Sequence, residues 1–167
     1  VGAGVEGDLM VRGPAMFYGY YGQPDLTAAL FDAGNFFNCG DRAVMDEDGY
    51  IRITGRSKDL IIRGGVNISP VPIEDVLAAH PKVSSVAVVG YPDERLGERI
   101  CAVFSPSDIR LSLQEVTAYA SENGLPKQHW PEFVMFIDEM PMTPAGKIRK
   151  NDVRKWLESQ TASTGGQ

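Results

Sequence analysis

Apolar and polar positions divide the chain into two regimes. Up to about residue 57, apolar residues come in short runs punctuated by Gly, Pro and Asp. Leu9-Met10-Val11 is closed by Gly13-Pro14, and Arg42-Ala43-Val44-Met45 and Tyr50-Ile51-Arg52-Ile53-Thr54 follow. Short runs bounded by turn residues predict strands. Asp46-Glu47-Asp48-Gly49 joins the last two as a hairpin turn. A calcium loop is the other reading of that acidic turn, but the remaining ligands of such a loop are missing. Leu26-Thr27-Ala28-Ala29-Leu30-Phe31 predicts one short helix behind Pro24, with Asp25 as its N-cap.

From about residue 58 the pattern alternates between strand and helix. Leu60-Ile61-Ile62 reads as a strand and Gly64-Gly65 as a turn. Residues 72–79 read as a helix with Pro72 at its start and Glu74-Asp75 in its first turn, stopped by His80-Pro81. Val83 to Val89 and Ile100 to Phe104 are strands. Ser112-Leu113-Gln114-Glu115 is a capping box that opens a helix to about Asn123, with Gly124 as its stop. Phe133 to Ile137 is a strand, and residues 151–159 form a helix with Val153, Trp156 and Leu157 on one face. The expected fold is α/β (α+β): a small α/β domain over 58–159 behind a β-rich piece over 1–57. The tail over 160–167 lacks an apolar pattern and is expected to be disordered.

Composition narrows the function classes. Apolar residues make up 43% of the 167 positions, enough for a real core. A formal net charge of -6 argues against a general nucleic-acid binder. No apolar run is long enough to span a bilayer. The start, Val1-Gly2-Ala3-Gly4-Val5, has no signal-peptide pattern and no initiator Met, so the chain reads as beginning inside a larger protein. Cys39 and Cys101 are far apart and form no metal or redox motif. They read as buried thiols of a reducing, cytoplasmic compartment. His80 and His129 have no partner at metal-ligand spacing, so no metal site is expected.

Candidate chemistry sits at a few charged and glycine positions. Pro141-Met142-Thr143-Pro144-Ala145-Gly146-Lys147-Ile148 puts Lys147 at the tip of a Pro/Gly-punctuated loop. There it is either a solvated surface lysine or a mobile cation that neutralises an oxyanion or phosphate. The loop is not a Walker loop, because the upstream Gly and the following Ser/Thr are missing. Asp41, in Asn38-Cys39-Gly40-Asp41, either caps a turn or accepts the vicinal hydroxyls of a ribose. Arg56 either makes a surface ion pair or meets phosphate or ribose oxygens. Gly64 and Gly65 permit a left-handed turn or the close approach of a ligand.

Taken in order, several segments resemble the adenylate-forming enzymes, a superfamily of acyl-CoA synthetases, peptide-synthetase adenylation domains and luciferases. They are Gly7-Asp8-Leu9-Met10-Val11-Arg12-Gly13-Pro14, Gly19-Tyr20-Tyr21, Gly40-Asp41, Asp48-Gly49-Tyr50, the run from Gly55 to Pro70, and the lysine loop. The wording Gly64-Gly65-Val66-Asn67-Ile68-Ser69-Pro70 is most similar to the fatty and medium-chain acyl-CoA ligases.

The resemblance implies a site. Lys147 matches the catalytic lysine that bridges the attacking carboxylate and the α-phosphate. Asp41 matches the ribose-binding aspartate and Arg56 an arginine on the nucleotide. Lys58 matches the hinge about which the C-terminal domain rotates, and Gly64 and Gly65 the border of the CoA pantetheine tunnel. Cys39 stands where relatives more often have Thr, and Val66 where many have Glu, which removes a polar contact at each position. The family's phosphate loop, its adenine and magnesium contacts and its acyl pocket are not among these segments. The chain is therefore expected to be a fragment, inactive alone, of a ligase that uses ATP, Mg2+ and CoA to turn a carboxylic, fatty acid into acyl-CoA, AMP and pyrophosphate. The alternatives are a lid serving a phosphopantetheine carrier protein and a non-catalytic nucleotide or CoA module. A homo-oligomer stays open.

Overall fold

The computed structural model describes residues 1–105 and 110–164, with the backbone alone for 161–164. The chain divides between Lys58 and Asp59 into two units, Val1–Lys58 and Asp59–Gln167.

In the first unit, β1 (Gly7–Val11), β2 (Phe37–Met45) and β3 (Ile51–Arg56) form an antiparallel sheet in that order, with α1 (Pro24–Leu30) between β1 and β2. The β2–β3 hairpin closes on Asp46, whose Oδ1 accepts the backbone N–H of Asp48 (3.1 Å) and of Tyr50 (2.8 Å). The acidic turn is thus held by its own hydrogen bonds. Two expectations change here. Asp25 is not the N-cap of α1: the helix starts at Pro24 behind Gln23, and Asp25 lies inside its first turn. Proline presets the entry dihedral there, and a carboxylate in the first turn suits the helix dipole. Also, β2 begins at Phe37, so Gly40-Asp41 lie within a strand rather than before one.

In the second unit, Gly64-Gly65 (φ 58° and 81°) form a two-residue turn joining β4 (Ile61–Arg63) to β5 (Val66–Ile68). Positive φ at both central residues matches the right-handed twist of a tight hairpin. α2 (Val71–Ala78) follows, then β6 (Val86–Asp93) and β7 (Gly97–Phe104) as a long hairpin. α3 (Leu113–Glu122) leads to β8 (Phe133–Phe136), which runs parallel to β7. The strand order is β5-β4-β7-β6, and β8 shares with β4 the edge of β7 that β6 leaves free. The predicted capping box of α3 is present: Ser112 Oγ accepts Glu115 N–H at 3.2 Å and Glu115 Oε2 accepts Ser112 N–H at 2.8 Å.

Alternation along β6 and β7 sorts the core. Val86, Val88, Ile100, Ala102 and Phe104 pack with Ile73 and Leu77 of α2 and Val116 and Ala120 of α3. Ala87, Val89, Cys101 and Val103 face the other side and pack with Val153 and Leu157 of α4 (Lys150–Thr164). The sheet is therefore covered on both faces, which is why 100–104 reads as an unbroken apolar run. The backbone of 160–164 continues α4, where the sequence reading expects disorder; residues 165–167 of that tail lie outside the described residues. Every buried apolar side chain among the described residues lies between Ile61 and Leu157, so the fully buried core of this chain lies in the second unit, while the first packs half-buried rings such as Phe31 and Phe37. No helix among the described residues is long and apolar enough to cross a membrane.

Candidate functional site

The first unit brings Asp41 and Arg56 together. The β1–β2 register shifts so that Asp8 faces Arg42 while Met10 faces Asn38, which leaves residues 39–41 opposite Leu9 alone. Gly40 supplies the bend at φ 73°, and its N–H is held by Asn38 Oδ1 at 2.8 Å. A second shift on the other side of β2 leaves Thr54 as an extra residue between the pairs Arg42–Gly55 and Ala43–Ile53. Bulges of this kind re-aim the side chains that follow. Here they set Asp41 against Arg56, with Nε 2.9 Å from Oδ1. The arginine is half exposed, so the pair adds little to stability. It presents a carboxylate and a guanidinium side by side, a set able to meet hydroxyl and phosphate oxygens. Neighbouring Cys39 is only partly buried, unlike the buried thiol expected from sequence.

In the second unit the Gly64-Gly65 turn is braced from beneath. Gly64 N–H donates to Leu96 O at 2.7 Å, and Leu96 belongs to the β6–β7 turn, which Asp93 Oδ1 closes by accepting the N–H groups of Arg95 (3.1 Å) and Leu96 (2.8 Å). Those amides hold the Asp93 carboxyl below its usual range. Ile62 N–H donates to Glu98 Oε2 at 2.6 Å. Arg63 forks onto Glu132, with Nε to Oε2 at 2.8 Å and Nη2 to Oε1 at 3.0 Å. Space around Gly65 is open on its Cβ side, and Val66 beside it is exposed. The turn is a braced, bare backbone surface.

Lys147 stands apart in a loop closed on itself. Thr143 N–H donates to Lys147 O at 2.7 Å, Gly146 N–H to Thr143 O at 2.9 Å, and Lys147 N–H to Thr143 Oγ1 at 3.1 Å. Gly146 takes φ 77°, and Met142 bridges to Ile148 in antiparallel fashion. The two bonds that involve Lys147 use its backbone atoms alone. Its side chain is exposed and its ammonium has no partner among the described residues. Lys58 is exposed as well, in the short turn Ser57–Asp59.

Sequence reasoning missed a second set of charges. Lys150, the first residue of α4, places Nζ 2.8 Å from Glu74 Oε2 of α2, and both are largely buried. Glu74 Oε1 accepts Val88 N–H at 2.7 Å. Burial raises the Glu74 carboxyl above its ordinary value, against the pull of Lys150. One turn along α4, Arg154 Nη2 lies 3.2 Å from Oδ1 of Asp59, a buried acid. Glu74 and Asp59 look like first-turn and strand-end acids in sequence; only their burial marks them. No group of three or more His, Cys, Asp or Glu able to hold a metal occurs among the described residues.

Comparison with known proteins places this architecture. Residues 72–147 match the AMP-binding enzyme C-terminal domain. Over 154 residues the chain is 47% identical to a medium-chain fatty-acid–CoA ligase of Escherichia coli, covering 91% of this chain and 27% of that protein. It is 39% identical over 152 residues to a mitochondrial medium-chain acyl-CoA ligase of Macaca fascicularis, covering 91% of this chain and 25% of the relative. Among solved structures, ATP-bound MatB from Rhodopseudomonas palustris superposes with a TM-score of 0.82 at 35% identity, over 93% of this chain and 31% of that one. The chain thus spans about a quarter of the length of the curated relatives it matches. It belongs to the adenylate-forming, AMP-binding enzyme superfamily and carries that superfamily's C-terminal domain.

Proposed function

We propose that this chain supplies the swivelling lid and part of the nucleotide floor of an ATP-dependent acyl-CoA ligase that acts on a medium-chain fatty acid. The observation that carries the reading is the lysine loop. Its backbone is closed on itself while the Lys147 ammonium is unengaged among the described residues, which suits a group that enters and leaves a site held by other elements. The names of the relatives support the acid and the thiol acceptor. The lack of buried apolar side chains in the first unit fits a subdomain that completes its core with other chain segments.

In this reading each group has one task. Asp41 accepts the ribose hydroxyls of ATP, and Arg56 orients that carboxylate and faces the nucleotide. Lys147 bridges the fatty-acid carboxylate and the α-phosphate, offsetting charge as pyrophosphate leaves. Rotation about Lys58 then withdraws the lysine and brings the bare Gly64-Gly65 turn to the pantetheine arm of CoA. Its thiol attacks the acyl carbonyl of the adenylate, giving the thioester and AMP. Magnesium would accompany ATP through ligands supplied elsewhere.

The test uses the full-length protein with ATP, magnesium and a panel of acids of different chain length, with and without CoA, read by mass spectrometry. Octanoyl-CoA plus AMP from octanoate, lost on Lys147→Ala, is the expected result. Adenylate without any CoA thioester would sink the acceptor assignment and point to a carrier protein.

A further inference from the structure

The charges on α4 form a strap across the free edge of the sheet. β6 is the outer strand beside β7, so its second edge has no strand partner among the described residues. α2 packs on one face of β6 through Ile73 and Leu77, and α4 packs on the other through Val153 and Leu157. Glu74, on α2, reaches the edge and accepts Val88 N–H of β6 at 2.7 Å. Its other oxygen takes the ammonium of Lys150, which comes from the opposite face, at 2.8 Å. One helical turn further, Arg154 meets Asp59, the residue that follows Lys58. The two α4 cations sit at i and i+4, on one side of the helix.

The strap matters because of where α4 begins. Lys150 lies three residues after Lys147, and the chain between them is held by Arg149 N–H to Pro141 O at 2.8 Å and by Ile148 against the second core cluster. A loop closed on itself keeps its shape but not its aim. The aim is set by whatever fixes its two stems, and the downstream stem ends on the buried Lys150–Glu74 pair. We infer that Glu74, through Lys150, is a positioning residue for the Lys147 ammonium, and that the Asp59–Arg154 pair ties the same helix to the residue after the hinge so that the lysine loop and its domain turn as one body. This inference rests on the role proposed above for Lys147. Glu74 touches neither substrate nor nucleotide in it. Its effect is confined to the half-reaction that uses the lysine.

The experiment separates the two half-reactions in the full-length protein. Adenylation is followed as octanoate-dependent exchange between ATP and pyrophosphate. Thioester formation is followed by supplying octanoyl-adenylate with CoA. Glu74→Gln keeps the volume and an acceptor for Val88 N–H but leaves Lys150 without its counter-charge. Misplacing a reacting group by an ångström costs up to about 100-fold, so adenylation is expected to fall about 10- to 100-fold in kcat with KM for octanoate little changed, while thioester formation stays within about twofold. Lys150→Met unties the strap from its other end while keeping the aliphatic stem packed. It is expected to give the same split, and it serves if Glu74→Gln does not fold. Lys150→Arg, which keeps the charge, should retain adenylation. Parallel loss in both half-reactions, or no loss in either, overturns the positioning role. Lys147→Ala run alongside tells the two failures apart. If it keeps adenylation, the role of the lysine falls and this inference with it. If it loses adenylation while both strap variants behave as wild type, only the strap is refuted.

Discussion

The carboxylate of Glu98 occupies the space that a side chain on Gly90 would fill, and from there it accepts the N–H of Ile62. A missing Cβ on β6 thus lets an acid on β7 hold the strand that leads into the Gly64-Gly65 turn. Gly90→Ala is expected to swing the flexible Glu98 side chain off Ile62 and destabilise the chain by about 1 kcal/mol, the net worth of the lost hydrogen bond. Urea unfolding checks the size, and amide exchange at Ile62 checks the cause. An unchanged Ile62 amide would refute the link.

Arg63 and Glu132 give a pH dependence. The forked guanidinium holds the Glu132 carboxyl below its ordinary value of 4.5. A carboxyl whose folded pKa is depressed favours the fold only when ionised. Its contribution is therefore complete above the unfolded pKa and is lost as pH falls from there through the folded one. Glu132→Gln should cost about 1 kcal/mol near neutrality and much less in acid, because the wild type has by then lost the same contribution. Stability measured from pH 7 down to pH 3 for both proteins checks this: curves that stay parallel would contradict it.

Backbone conformation at Gly65 gives a third expectation. With φ at 81° and open space on its Cβ side, the residue has no packing reason to be glycine, only a conformational one. Gly65→Ala should cost about 1 kcal/mol, and Gly65→Asn less, because Asn tolerates the left-handed region. Gly65→Val should cost more, since branching at Cβ disfavours that region further. Thermal unfolding of the three variants ranks them. Equal Tm values would mean that the turn relaxes.

The two thiols should differ in reactivity. Burial pushes the Cys101 thiol up to about 12, while Cys39 is raised less strongly and lies partly exposed. The thiolate is the reactive species. Iodoacetamide at about pH 8 is therefore expected to label Cys39 slowly and to leave Cys101 untouched until the chain is unfolded. Peptide mass mapping of the labelled native protein decides it, and native labelling at Cys101 would contradict the packing of β7 against α4.

Several elements were legible in the chain itself because their causes are local. The Asp46–Gly49 hairpin turn, the Ser112–Glu115 capping box, the Gly64-Gly65 turn and the lysine loop each depend on residues within four or five positions. Turn chemistry and capping act over that range, so reading them needs no tertiary knowledge. The unbroken apolar run from Ile100 to Phe104 likewise announces a strand, which the structure covers on both faces. β5 stayed hidden, since three residues carry no periodicity. The charge partners stayed hidden too. Asp41 meets Arg56 only because strand register and two bulges aim them at each other. Glu74 meets Lys150 across 76 positions, Arg63 meets Glu132 across 69, and Asp59 meets Arg154 across 95. An acid and a base that far apart in sequence are ordinary surface residues until the strand order and helix packing remove water from around them. That desolvation, which no local pattern encodes, turned a first-turn glutamate into the strap behind the lysine loop.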